Sequence, residues 1–136
     1  MKKLLLLSIF LISALGHAAF SAEGEPPFVA AAGEDGVQRV EVLAGSYFFK
    51  PDHIIVKAGV PVELKVKQKP SIVPHNIVMK EKEAGMKFFV RLTASAKRVT
   101  FTPEETGKFA FYCDRRFLFF KSHRARGMEG VIEVVE

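Results

Sequence analysis

The chain has 136 residues, a formal net charge of +5, 49% hydrophobic and 26% charged residues. That is chain enough for one domain with an ordinary apolar core and too little for two. A single cysteine excludes an internal disulfide framework, and so modest a charge gives no global case for nucleic acid.

Residues 1–21 are expected to form a secretory signal peptide. Lys2 and Lys3 precede an apolar run from Leu4 to Leu15, and Ala18, Ala19 and Ser21 supply small residues for cleavage. The run is shorter than the ~20 apolar residues of a spanning helix. Loss of Lys2 and Lys3 leaves 18 basic against 15 acidic residues, a charge of +3. The expected location is the periplasm.

Residues 22–36 are small and acidic and carry Pro26 and Pro27, which reads as a flexible lead-in to a domain over 37–136. From Val37 onward apolar residues recur with a period of two. Val40 and Val42 come first, then Val60, Val62, Leu64 and Val66 with Glu63, Lys65 and Lys67 between them. Further strands are expected over 54–57, 76–79, 86–91, 98–102, 108–112 and 131–135. Ala58-Gly59, Lys69-Pro70, Glu83-Ala84-Gly85, Pro103 to Gly107 and Arg126-Gly127 supply the turns. Seven or eight short strands in about 100 residues predict an all-β sandwich, because an open sheet would leave an apolar face and two edges in water.

A free thiol in an exported chain is oxidised or pairs with another chain unless it is buried or bound to metal. Cys113 closes the strand over 108–112, and His75 stands just before the strand over 76–79. His123 and Met128 follow Cys113 at spacings of ten and five. One thiolate, two imidazoles and one thioether suit copper, since soft sulfur stabilises Cu(I) and the nitrogens remain acceptable to Cu(II). The plain alternative is a buried thiol near a surface histidine. Zinc competes as well, although its structural sites usually hold two or more cysteines and seldom a methionine. His53 is expected to flank a strand away from this set. Met79 and Met86 are expected in the core or in turns, with either able to replace Met128 as a soft donor. No hydrolase triad, phosphate-gripping glycine loop or glycosidase carboxylate pair is present.

The segment from Phe49 to Val62 reads as an extended stretch, a tight turn and a core strand. Val73-Pro74-His75-Asn76, the stretch from Pro103 to Cys113, and His123 followed by Gly127-Met128 and the last strand come after it in that order. In this order the chain from 37 to 136 resembles the cupredoxin family of small blue-copper proteins, and its plastocyanin-like members in particular. The resemblance implies a Greek-key β-sandwich holding one copper ion. Cys113, His75 and His123 would form the ligand plane, Met128 a weak axial ligand, and Asn76 a brace for the ligand loops. It further implies a periplasmic one-electron carrier rather than an enzyme, with a redox partner protein such as a cytochrome or an oxidase. Copper delivery or sequestration is the alternative use of the same residues.

The chain departs from that family between Cys113 and His123. Nine residues, 114–122, stand where the family places two to four. Phe117, Leu118, Phe119 and Phe120 lie there among Arg115, Arg116, Lys121, Arg124 and Arg126. The expectation is a divided loop, with some phenylalanines packed inward and the arginines exposed. An outward face would make an apolar patch with a basic rim for an acidic redox partner, or a peripheral contact with an anionic membrane.

Overall fold

The computed structural model describes residues 24–136, so the expected leader over 1–21 lies outside the described residues. Ten strands follow in chain order: β1 (Phe28–Val29), β2 (Gln38–Gly45), β3 (Phe48–Lys50), β4 (His53–Lys57), β5 (Val62–Gln68), β6 (Asn76–Glu81), β7 (Met86–Arg91), β8 (Lys97–Phe101), β9 (Gly107–Tyr112) and β10 (Glu129–Val135). A 3-10 turn, Arg124–Arg126, precedes β10. The strands form two mixed sheets, one ordered β1-β4-β10-β9-β6-β7 and the other β3-β2-β5-β8. The expected sandwich is present. Among the described residues no helix is long and apolar enough to cross a membrane.

The period-two pattern becomes the core directly. Val40, Val42 and Ala44 of β2 and Val62, Leu64 and Val66 of β5 point inward from one sheet. Ile54, Val56, Ile77, Met79, Phe111, Ile132 and Val134 meet them from the other. Facing apolar surfaces removed from water in this way supply the main stabilisation of such a domain. Gln38 is buried among them without cost to the fold. Its Nε2 donates to the carbonyls of Lys57 and Val60, each at 3.2 Å, and its Oε1 accepts from the Lys57 N–H at 2.7 Å. The side chain ties β2 to the turn between β4 and β5, and both ends of its amide are satisfied.

Two short strands were not legible in the sequence. Residues 28–30 fall within the stretch expected to be a flexible lead-in, yet Phe28 and Val29 pair in parallel with Ile54 and Ile55. The Ala30 N–H also donates to the Ile55 carbonyl at 2.9 Å, and Ala30 itself is buried. The open edge of β4 offers unpaired backbone groups there, and two extended residues are enough to cover it. Similarly, β3 forms by folding back on the end of β2, with Ala44 opposite Phe49.

The topology gathers the chemistry at one end of the larger sheet. β9 lies between β6 and β10, antiparallel to both, with Val78 opposite Tyr112 and Tyr112 opposite Glu129. The start of β6, the end of β9 and the start of β10 therefore emerge side by side. His75, Cys113 and Met128 are the residues at those three points.

Candidate metal centre

His75, Cys113 and His123 come together with one ligand atom each, all within 4.8 Å of one another and all buried. The Nδ1 atoms of the two histidines face each other at 3.1 Å, and Cys113 Sγ lies 3.4 Å from His123 Nδ1. Met128 is fully buried beside them. Of the sequence-predicted set, the first three are thus joined through their side chains. Met128 is tied in through its backbone, whose carbonyl accepts from the Cys113 N–H and whose N–H donates to the His123 carbonyl, both at 3.0 Å.

Each residue is held by ordinary local structure. His75 is fixed at the mouth of β6, where its carbonyl accepts from the Leu92 N–H at 3.1 Å. The 3-10 turn begins at His123, whose carbonyl also accepts from the Arg126 N–H at 3.1 Å. Gly127 ends that turn with a φ of 96°, a left-handed conformation that glycine adopts freely, and so returns the chain to Met128 and β10. Asn76 braces the assembly from behind. Its side chain donates to Asp114 Oδ1 at 2.6 Å and accepts from the Asp114 N–H at 3.1 Å, while its own N–H points at Cys113 Sγ at 3.5 Å. These bonds fix the backbone on both sides of the thiol and present a donor to its sulfur.

Burial sets the protonation of the cluster. Loss of water pushes both histidine pKa values below the ordinary 6.5, helped at His75 by His123 and at His123 by the charges of Arg126 and Arg115. Burial also pushes the Cys113 thiol above its ordinary 9.0, against the opposing backbone N–H groups of Asn76 and Arg115. The metal-free cluster is therefore electrically neutral, with two neutral imidazoles and a protonated thiol. The remaining ring nitrogen of His75, Nε2, is buried without a hydrogen-bond partner among the described residues.

Two nitrogen donors and one thiol aimed at a common point can hold a single copper ion. A bound ion must displace the thiol proton, which couples affinity to pH. Above about pH 6.5 the histidines are already neutral, and below about 9.0 the thiol keeps its proton. Across that window the apparent affinity is expected to rise about tenfold per pH unit, as read by competition with a chelator calibrated at each pH. A flat profile would remove the thiol from the donor set.

Tyr47 belongs to the site and was missed. It occupies the turn between β2 and β3 with a φ of 68°, a left-handed conformation uncommon for a non-glycine residue. Its ring meets His123 edge-on at 5.2 Å between centroids and His75 at 6.4 Å. Arg126 holds it there, with Nη1 donating to the phenol oxygen at 3.0 Å and the guanidinium 4.7 Å above the ring. The only sequence signal was an aromatic residue in a tight turn after Gly45, which says nothing of a partner 79 positions away.

Other candidates fall where expected. His53 sits on β4 away from the cluster, its Nε2 2.7 Å from Glu133 on β10, and Met79 and Met86 are core residues. The loop over 114–122 differs from expectation. The His123 N–H donates to the Arg115 carbonyl at 2.9 Å and pinches the base, and the Phe120 N–H donates to the Phe117 carbonyl at 3.0 Å to turn the tip. Phe117, Leu118, Phe119 and Phe120 are all exposed, so none is packed inward as a divided loop required. With the base closed so tightly the chain projects, and the rings stack on one another. Phe119 and Phe120 stack at 4.9 Å and Phe117 and Phe120 at 6.2 Å.

Among curated proteins none matches the chain. Several solved structures share its fold. The metal-binding domain of the Cu(I)-exporting P-type ATPase CopA of Streptococcus pneumoniae, solved with Cu(I), is 24% identical, with 82% of this chain and 97% of that one covered and a TM-score of 0.63. A copper-binding protein solved by NMR in the apo form is also 24% identical, covering 82% and 100% of the two chains at a TM-score of 0.62. Dithionite-reduced auracyanin from the photosynthetic bacterium Roseiflexus castenholzii is 20% identical, covering 79% and 99% at a TM-score of 0.52. Residues 4–128 match the family of the cupredoxin-like domain, a span that includes His75, Cys113, His123 and Met128; the chain belongs to that family.

Proposed function

We propose that the protein is an exported one-electron carrier in which His75, Cys113 and His123 would hold one copper ion, with Met128 as a further, weaker sulfur donor. Bound copper supplies a one-electron Cu(I)/Cu(II) couple. The chain's contribution is to hold the donors still. The observation that carries this reading is the tying of the ligand segments by hydrogen bonds: the Cys113 N–H to the Met128 carbonyl, the Met128 N–H to the His123 carbonyl, the Leu92 N–H to the His75 carbonyl, and the Asn76 side chain to Asp114 across the thiol. Donors that need not move when an electron arrives keep the reorganisation small. Burial keeps water from the thiol and from His75, and leaves only an edge of His123 at the wall of a groove. No side chain has to move a proton to a substrate, so no enzyme activity is required. A leader over 1–21 would place the carrier in the periplasm, where a cytochrome or an oxidase is the natural exchange partner.

Copper delivery is the second reading, favoured by the likeness of fold to the metal-binding domain of a Cu(I) exporter. The two separate in one experiment. Copper-loaded protein is taken through repeated reduction and reoxidation beside a Cu(I) chelator, with absorption and electron paramagnetic resonance spectra recorded at each stage. The carrier reading expects a sulfur-to-copper charge-transfer band that returns in full each cycle with the metal retained. Loss of copper to the chelator on the first reduction supports delivery. Absence of sulfur from the first shell by X-ray absorption overturns both.

A further inference from the structure

The end of the sandwich that carries the cluster also carries the most exposed large apolar side chains among the described residues. Ile72, on the loop between β5 and β6, is fully exposed, and Phe119 at the tip of the 114–122 loop is 87% exposed. Leu118, beside it, adopts a φ of 47°, so the chain reverses there and throws its neighbours outward. Two loops thus project apolar groups from one end of the molecule. Between them lies a groove of ≈ 570 Å³ with Phe117 and Phe120 on its wall, whose lining among the described residues includes four cations, Arg115, Arg116, Lys121 and Arg126, and no carboxylate. The only acid from Asp114 to Met128 is Asp114 itself, and its carboxylate is engaged by Asn76 at 2.6 Å.

We propose that this end of the protein docks on an anionic phospholipid surface, with Phe117 to Phe120 and Ile72 entering the interface and the four cations seated on lipid phosphates. The shape favours lipid over protein. A protein partner needs a broad, complementary face of about 800 Å². Here Leu118 and Phe119 form a narrow projecting tip, with Phe117 and Phe120 behind it on the wall of the groove and positive charge gathered around them. A bilayer accepts such a tip without a matching cavity, and anionic headgroups meet the cations at the depth where the apolar tip ends. Lys121 and Arg116 flank the tip directly and make no ion pair among the described residues.

The test uses metal-free chain from Ala22 onward, which holds every strand and core residue described above, so its outcome does not depend on copper. Co-sedimentation is measured with vesicles of pure phosphatidylcholine and with equimolar phosphatidylcholine and phosphatidylglycerol. Binding is expected on the anionic vesicles, weaker by about tenfold or more after L118S with F119S, and reduced by salt as the charges are screened. R116E with K121E should abolish it. Circular dichroism should be unchanged in each variant, since all four residues are exposed. The chain contains no tryptophan, so F119W installs one reporter at the tip. Its emission should shift to the blue on anionic vesicles. An unshifted emission, equal binding of the L118S/F119S variant, or capture of the tip only by an acidic protein partner would overturn the proposal.

Discussion

Cys113→Ser is expected to abolish the sulfur-to-copper charge-transfer band and to weaken Cu(I) binding by more than about a hundredfold. Removing residues that merely orient metal ligands commonly costs 10–100-fold, and here a donor itself is lost. A serine hydroxyl keeps its proton throughout the accessible pH range and offers Cu(I) a hard oxygen in place of a soft sulfur. The fold should survive. Cys113 is tied to Met128 through its backbone N–H, which the substitution leaves alone, and the Asn76 N–H retains an acceptor in the new oxygen. Stability of the metal-free chain should therefore change by no more than about 1–2 kcal/mol, because the buried hydroxyl has a partner. Isothermal titration and urea unfolding read the two quantities separately. Full-strength Cu(I) binding by the serine variant would show that copper is held elsewhere.

Phe111→Ala should cost about 3–5 kcal/mol, a large part of the stability of a domain this size. The ring is fully buried and meets Phe49 edge-on at 5.3 Å, joining the two sheets. On its other side it lies over Gly130, where a Cβ would strike the ring and stand 2.5 Å from the Asp52 carbonyl oxygen. The glycine has thus given up its side chain so that the phenylalanine can fill the space. On the Gly130 side the void left by alanine is walled by the backbone of β10, which has no side chain to fill it. Phe111→Leu should cost less, about 1.5 kcal/mol or below, since most of the volume is kept. Urea unfolding checks both. Equal costs would mean that the shape of the ring, rather than burial of apolar area, is what matters there.

The eight strands read from the sequence are present. In β2 and β5 the inward residues face a second sheet and that requirement is written in every other residue, whereas β6 buries four residues in a row, Asn76 to Met79, and shows as a short apolar run. The strands that escaped detection, β1 and β3, have two and three residues, too few to show a period. His75, Cys113 and Met128 were legible for a related reason. Each stands at the end of a strand whose position the pattern fixes, so sheet topology brings them together. His123 was placed by its spacing alone, and the backbone bonds to Arg115 and Met128 explain why that spacing works. Tyr47 was invisible because its role depends on Arg126 across the fold. The phenylalanine run was misjudged because hydrophobicity tells what a side chain prefers, while the pinched base of the loop decides what it can reach.

The parallel pairing of β4 with β10 bears on when the site comes into being. His53 and Glu133, joined across those strands, are 80 positions apart, and the two histidines of the cluster are 48 apart. Contacts of such range are slow to form, because the chain must close long loops before any of them contributes. A chain that emerges N-terminus first presents β1 to β4 early, yet the larger sheet has no centre until its last segment arrives. The thiol stays uncovered until that moment, and the donors are assembled in the same closing step. Copper would then enter a finished cage instead of nucleating it, the reverse of small zinc domains that fold around their ion. Capture of metal by this chain would be a post-folding event, and any cell that makes it must keep the single thiol reduced until the last strand is home.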